Sequence, residues 1–403
     1  MKRQEILLRA YSKQISWIEA ADILGMSYRH LQRVREAYKW NGFEGLHDKR
    51  VGKESPRRIP VATVEKVLSL YREKYFDFNV RHFHEKLREE HSIELSYTWV
   101  KTLLQGSGLA AKQKGRSKHR RRRERKPLRG MMLHIDGSHH QWFGDDRWHD
   151  LIVILDDATG EIYYAQLVER ESTVTIMAAI RQVIETEGVF CSLYSDRASH
   201  FFRTPKAGEP VDRQSLSQVG RALRELSIKL IPSYSPQARG RSERSFRTWQ
   251  GRLPQELRIR GISSPEDANR FLKRSYIRVF NRKFTVQAAD PDVSAFVPCT
   301  RTDLDRVFSI QTERIVNRDN TVQYNNLTLQ IDRQSWRRSM DGCRVTVYQH
   351  LDAKITIGFG PQEVGRYTPD GRPSNRPFSK QRDLKPKRLA APLPNRETGH
   401  FMC

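Results

Sequence analysis

Residues 111–130 (AKQKGRSKHRRRRERKPLRG) hold eleven Lys or Arg and a single acid. Like charge at that density cannot pack on itself, so this run divides the chain into parts that must fold without it, and it orders only against a polyanion. The rest of the chain agrees: 72 Lys and Arg stand against 47 Asp and Glu, a formal charge of +25. That excess exceeds what solubility needs, and the DNA backbone is its commonest partner. A membrane is not expected to be the partner, because no stretch approaches the roughly 18 apolar residues of a spanning helix. Cys191, Cys299, Cys343 and Cys403 are far apart and form no CxxC pair, so neither a zinc ribbon nor a disulfide framework is expected. The start, MKRQEILLRAYSK, has no continuous apolar stretch to serve as a secretory signal. A reducing intracellular compartment is expected.

On the N-terminal side of the run, residues 1–47 read as short helices. Ile18, Ala21 and Ile23 or Leu24 form an apolar stripe, Gly25 breaks it, and Ser27 offers an N-cap to a second stripe of Leu31, Val34 and Tyr38. Helix, short glycine turn, helix is the helix-turn-helix pattern, and its second helix would expose Tyr28, Arg29, Gln32, Arg33 and Arg35 to base edges and phosphates. Residues 48–60 read as a linker. Residues 61–110 predict a second helical DNA-binding unit: Val61–Tyr75, His82–Glu90, and a helix capped by Ser96 that carries Tyr97 and Lys101 as contacts, with Trp99 in the core. Within the basic linker 111–130, Arg120, Arg121, Arg122 and Arg123 are expected to track phosphates without reading bases.

From Met131 the texture changes. MMLHID predicts a buried strand ending in Asp136; Trp148–Leu155 and EIYYAQLV predict two more, joined by the hairpin signal DDATG. A helix over Glu171–Glu187, a strand ending in Ser195-Asp196, a helix over Leu216–Leu226, a strand over Ile228–Ile231 and a helix containing Glu243 follow. This is an α/β layered domain. If the later strands add parallel beside the first, Asp136 and Asp196 become neighbours, with Glu243 on a helix across them. Three converging carboxylates repel unless a cation neutralises them. Hard oxygen donors suit two Mg²⁺ ions, with Mn²⁺ as substitute, which can activate a nucleophile and stabilise the leaving oxygen. Asp145, Asp146, Asp150, Asp156 and Asp157 read as turn residues. His134, His139, His140 and His149 have no thiolate with them, so a zinc cluster is not expected. Arg239 and Arg247 flank Glu243 by one helical turn each and are expected to face DNA.

The set Asp136, Asp196 and Glu243, in the phrases HIDGS, YSDRASHF and SPQARGRSER, resembles the catalytic core of retroviral-type integrases and DDE insertion-sequence transposases. The loop Tyr234-Ser235-Pro236-Gln237 ahead of Glu243 carries most of the likeness. The resemblance implies an RNase H-like fold over about residues 131–285, with Asp136, Asp196 and Glu243 as both catalytic residues and metal ligands. Asp196 and Glu243 lie 47 residues apart, more than the retroviral spacing, and the surplus reads as a surface-loop insertion over His200–Gln214.

Beyond the core, short apolar runs between Asn, Asp and Gly turns predict a small β-barrel over 305–366. Residues 367–403 read as a basic, proline-rich tail without structure of its own. The expectation is a multidomain DNA transposase: all-α helix-turn-helix modules, a central α/β RNase H-like core and a C-terminal β-barrel. It would cleave transposon ends and transfer them into target DNA, with double-stranded terminal inverted repeats and target as partners, as a dimer or larger in bacterial cytoplasm at the nucleoid. The alternative is a domesticated, sequence-specific DNA-binding regulator that keeps the integrase fold.

Overall fold

A computed structural model describes residues 3–47, 58–112, 123–203, 215–234 and 240–374. The chain divides into two compact units, residues 1–76 with 85–109, and residues 77–84 with 110–403.

The first unit is helical. α1 (Arg3–Tyr11), α2 (Trp17–Ile23) and α3 (Tyr28–Asn41) are followed by a 3-10 turn over Gly42–Leu46. Ser16 and Glu19 cap α2 reciprocally, and the Ser27 side chain accepts from His30 N to start α3. Gly25, at φ +62°, makes the turn between them. The expected stripe on α2 holds in part: Ala21 is buried and Leu24 packs against the same core, while Ile18 and Ile23 are exposed and Ala20 is buried beside Ala21, Ile6, Leu7, Ala10 and Leu31. Two alanines allow close approach of α1 and α3, which a branched side chain would prevent. α4 (Val61–Glu73), residues 85–91 of α5 (Val80–His91) and α6 (Tyr97–Gly106) follow, with Ser96 accepting from Trp99 N at the cap.

The second unit is built on a five-stranded sheet. Its strands are β1 (Leu133–His140), β2 (His149–Asp156), β3 (Ile162–Val168), β4 (Ser192–Ser195) and β5 (Lys229–Pro232), in spatial order β3-β2-β1-β4-β5. β1, β2 and β3 pair antiparallel; β4 and β5 add parallel beside β1, as expected. β1 does not end at Asp136. Rungs to β2 continue to His140↔His149, so Asp136 lies inside the strand. α7 (Thr173–Thr186) starts two residues later than expected, because Ser172 and Thr175 form a reciprocal cap.

Alternation sorts the strand residues between two cores. Leu133, Ile135, Ile152 and Ile154 pack under α7, whose Ile176, Ile180 and Val183 recur at helical spacing, and under α8 (Gln218–Glu225). Leu151, Val153 and Leu155 pack on the opposite face under α9 (Gly240–Gln250), α10 (Leu253–Ile259) and α11 (Pro265–Phe271), which runs through a π turn (Leu272–Tyr276) into α12 (Ile277–Phe284). Trp249 of α9 is fully buried and stacks on Phe280 at 4.4 Å.

The C-terminal part is not a closed barrel. After α13 (Leu304–Val307), β6 (Ile310–Ile315), β9 (Arg344–Gln349), β10 (Ile355–Phe359) and β11 (Gln362–Tyr367) form a four-stranded sheet in the order β11-β10-β9-β6. β7 (Thr321–Tyr324) and β8 (Leu327–Gln330) pair only with each other. Their two-residue turn places Asn325 and Asn326 both at positive φ, the type I′ geometry that matches strand twist. Hairpin and sheet share one core of Val322, Leu329, Val345, Val347, Ile355 and Ile357. The arrangement is a small sandwich, whose separate hairpin the even spacing of strand-like runs could not distinguish from a barrel.

Candidate active site

Asp136 sits on β1 at the rung opposite Val153, so its side chain shares the face of β1 that bears His134 and Ser138 and lies under α9. The carboxyl residue is buried, at 7% exposure. β1 and β4 pair in parallel at Leu133↔Leu193 and His134↔Tyr194. That pairing ends at His134↔Tyr194, whose rings meet at 5.1 Å; Asp136 follows two residues further along β1, and Asp196 two residues after Tyr194, as the first residue past β4. Asp196 is half-buried; its Oδ1 accepts from Ala198 N at 3.0 Å and shapes the turn that leaves β4.

Glu243 lies in the first turn of α9 and is exposed. Ser242, Phe246 and Trp249 bury the adjacent helix face, and Gln250, seven residues on and therefore at nearly the same angle as Glu243, donates to Ser138 Oγ at 3.0 Å. At the other end, Arg241 donates to Asp157 Oδ1, to which His134 Nε2 is bound at 2.7 Å. α9 is thus tied to β1 near His134 and at Ser138. Four strand residues span about 13 Å and nine helix residues about 13.5 Å, so the helix runs alongside β1 and Glu243 falls within about one turn of Asp136 along that direction. Among the described residues, no three His, Cys, Asp or Glu side chains are gathered closely enough to hold a metal ion. The elements that carry the three carboxylates are therefore aligned, and the carboxylates themselves are not drawn together.

Asp156 and Asp157, the rivals to Asp136, have other work. Asp156 is fully buried and closes the hairpin by accepting from Thr159 N and Gly130 N, each at 2.9 Å. Asp157, expected as a turn residue, is the centre of an ion cluster: besides His134 and Arg241 it accepts from Arg123 Nη2 at 2.5 Å and Lys126 N at 2.8 Å. Burial pushes its carboxyl upward, and the bonds from His134, Arg241 and Lys126 outweigh this and hold it below the usual range. Burial also holds His134 below its usual range, against the raising influence of Asp157. No local sequence signal marks Asp157, since its partners come from 23 to 84 residues away.

A second missed pair lies on the other side of β1. Glu171 Oε1 is 2.7 Å from His200 Nε2, and its Oε2 occupies the place that a Cβ on Gly137 would need. The residue after Asp136 is thereby joined to the loop four residues after Asp196. Asp150, another expected turn residue, accepts from Glu171 N and pairs with His139.

The expected DNA contacts are placed as follows. Tyr28, Arg29, Gln32 and Arg33 are exposed on α3, Tyr97 is half-buried and Lys101 exposed on α6, and Arg247 is exposed on α9. Arg35 lies over the Trp17 ring at 4.5 Å, so it braces the helices as well as carrying charge. Arg123 is engaged with Asp157. Arg120, Arg121, Arg122 and Arg239 lie outside the described residues, as do the Tyr-Ser-Pro-Gln residues 235–237, most of the expected insertion and most of the tail.

A family profile described as "Helix-turn-helix domain" matches residues 2–54. The chain is 29% identical to y4bF of Sinorhizobium fredii, named as a candidate transposase, over 89% of this chain and 78% of that protein. It is also 29% identical to the transposase for insertion sequence IS1202 of Streptococcus pneumoniae, over 65% of this chain and 63% of that protein. The chain is similar to proteins named as transposases. The transposase relatives thus align with most of its length, reaching well past the helix-turn-helix match. Solved structures with some likeness are the simian T-cell lymphotropic virus intasome with a PP2A B56γ subunit (TM-score 0.30, 15% identity, 45% of this chain, 62% of that chain) and the HTLV-2 integrase catalytic core domain with magnesium (TM-score 0.29, 16% identity, 37% and 88%). Among the described residues no helix is long and apolar enough to cross a membrane.

Proposed function

We propose that this chain is a DNA transposase that cleaves transposon ends and joins them to target DNA with Asp136, Asp196 and Glu243 as its metal-holding carboxylates. The observation that supports the reading is the parallel pairing of β1 with β4, since Asp136 and Asp196 each come two residues after the last paired rung, with a third carboxylate in the first turn of α9. The donor set fits a hard cation: two carboxylates on neighbouring parallel strands, one of them buried, repel each other in a low-dielectric setting unless positive charge lies between them. Asp136 and Asp196 would hold Mg²⁺ ions, and Glu243 would complete the set once the first turn of α9 is drawn in. When bound, two such ions supply activation of the attacking oxygen and neutralise charge on the phosphate.

The chain's own residues have three tasks. Tyr28, Arg29, Gln32 and Arg33 present a polar helix face of the kind that reads a major groove, and the helix-turn-helix match supports their role at the terminal repeats. The basic run and the exposed Arg247 attract the phosphate backbone. The carboxylates orient the scissile phosphate so that water cleaves at the element end, and the freed 3′-hydroxyl then attacks target DNA in line, with no covalent bond to the enzyme. Two ends in one reaction call for at least two copies of the chain, working on DNA in the bacterial cytoplasm.

The test is cleavage of labelled DNA carrying the element ends by the full chain with Mg²⁺ or Mn²⁺. The expected result is a nick that leaves a 3′-hydroxyl at the element end, followed by joined products. Tight, sequence-preferring binding with no nick under either metal would overturn the reading in favour of a DNA-binding regulator.

A further inference from the structure

We infer that Asp157 is a positioning residue: it fixes the first turn of α9, and Glu243 with it, to the strand that carries Asp136. The inference rests on the transposase reading above. Asp157 is buried to 1% exposure, and its donors come from three separate segments: His134 on β1, Arg123 and Lys126 N on the stretch that ends the basic run, and Arg241 on α9. Arg241 donates in addition to the carbonyls of Arg123 at 2.8 Å and Glu124 at 2.7 Å. His134 precedes Asp136 by two residues on the same strand face, and Arg241 precedes Glu243 by two residues on the helix. One carboxylate therefore holds, at the same offset, both elements that must deliver the catalytic acids.

The geometry also says what Asp157 does not do. Asp157 takes three donors on Oδ1 and one on Oδ2, all of them from the protein, so its Oδ1 is spent on holding protein and not on a metal. A merely stabilising role would be met as well by apolar side chains in the same space. What an ion cluster adds is direction: if the first turn of α9 moves, a buried anion loses its partner, so the helix end is held against swinging while Gln250–Ser138 holds the other end.

The test uses the full chain with Arg241→Gln, Arg241→Lys and Asp157→Asn, and the Arg241→Gln, Asp157→Asn double variant. Cleavage is measured under single turnover across DNA concentrations, with Mn²⁺ binding followed by electron paramagnetic resonance and DNA binding by gel shift. At saturating DNA, Arg241→Gln should cut the cleavage rate about 10- to 100-fold, the range expected for a misplacement of order 1 Å. DNA affinity should stay within about twofold, since Arg241 is spent on protein contacts, and Mn²⁺ should bind about tenfold more weakly. Arg241→Lys, which keeps the charge and loses the fork, should recover only part of the rate. The double variant should be no slower than the slower single one, because both break one contact. Should Asp157→Asn fail to fold, the two Arg241 variants on the helix surface still decide. Wild-type rate and Mn²⁺ affinity in Arg241→Gln, or a loss confined to DNA affinity, overturns the inference alone. A wild-type chain that neither binds Mn²⁺ nor cleaves overturns the transposase reading and this inference with it.

Discussion

Glu171 packs its carboxylate against the backbone of Gly137, so closely that a methyl group on Gly137 would overlap it. The same side chain bonds His200, and so couples the strand of Asp136 to the loop that follows Asp196. Gly137→Ala should displace Glu171 and release His200. The displaced atom is the end of a flexible side chain, so the stability cost should be small, under about 1 kcal/mol. Amides of Phe201 and Phe202, bonded to Ala198 O, should exchange hydrogen faster in the variant. Unchanged exchange there would show that Glu171 does not hold the loop.

Asp136→Asn, Asp196→Asn and Glu243→Gln should each reduce DNA cleavage with Mg²⁺ below detection while end binding stays within about threefold, because binding energy resides mainly in contacts elsewhere. A mobility-shift assay beside a cleavage assay measures both. Full activity in any one variant removes that residue from the site.

Arg33→Ala or Gln32→Ala on α3 should weaken binding to the terminal repeat more than to scrambled DNA, by about 1–3 kcal/mol for a lost base contact. Ser27→Ala, which removes the cap on His30 N, should lower stability by about 1 kcal/mol and leave sequence preference intact. Equal losses on cognate and scrambled DNA would reassign α3 to backbone contact.

Arg120, Arg121 and Arg122 changed together to Gln should flatten the dependence of log affinity on log salt by up to about three units, since each phosphate contact releases counterions. Arg123→Gln should behave differently. It removes a donor from Asp157 and should lower the melting temperature; because Arg123 is 42% exposed, the loss should be near 1 kcal/mol. If Arg123→Gln changes only the salt slope, its pairing with Asp157 carries no stability.

Glu90 accepts from Lys86 and Tyr75; burial pushes its carboxyl up, and those bonds more than reverse this and hold it at about 2. The folded value lies below the unfolded one. Its contribution is therefore present above about pH 4.5 and is lost as pH falls towards 2. The Glu90 side chain is 33% exposed, so with solvent screening the effect should be at most about 1 kcal/mol. Thermal melts between pH 5 and 3 should fall less steeply for Glu90→Gln than for the unchanged chain; parallel curves would count against the pairing.

Much of the fold was legible because periodicity is local. Ser27, Ser96 and Ser172 mark helix starts within three residues of the amides they cap, and the Asp-Asp-Ala-Thr-Gly hairpin follows from one buried aspartate and one glycine. The parallel addition of β4 beside β1 was legible as a condition, and the register meets it. What the pattern could not carry was pairing over distance. Arg241 stands two residues before Glu243 with nothing local to set it apart, yet its guanidinium belongs to an aspartate 84 residues earlier. Ile18 read as core because hydropathy ignores the crowding that favours Ala20 and Ala21. The hairpin of β7 and β8 had the strand signals of a barrel, and only the absence of pairing to β6 or β9 among the described strands separates the two.

The register between β1 and β4 works as a ruler. Rung spacing in a sheet comes from backbone hydrogen bonds that every residue makes alike, so the gap between the backbones at the paired positions 134 and 194, two residues short of Asp136 and Asp196, is nearly indifferent to which side chains surround them. Neighbouring positions are free to diverge over long evolutionary times without detuning that interval. An insertion or deletion inside either strand, by contrast, shifts the carboxylates out of step or turns one to the opposite face at a stroke.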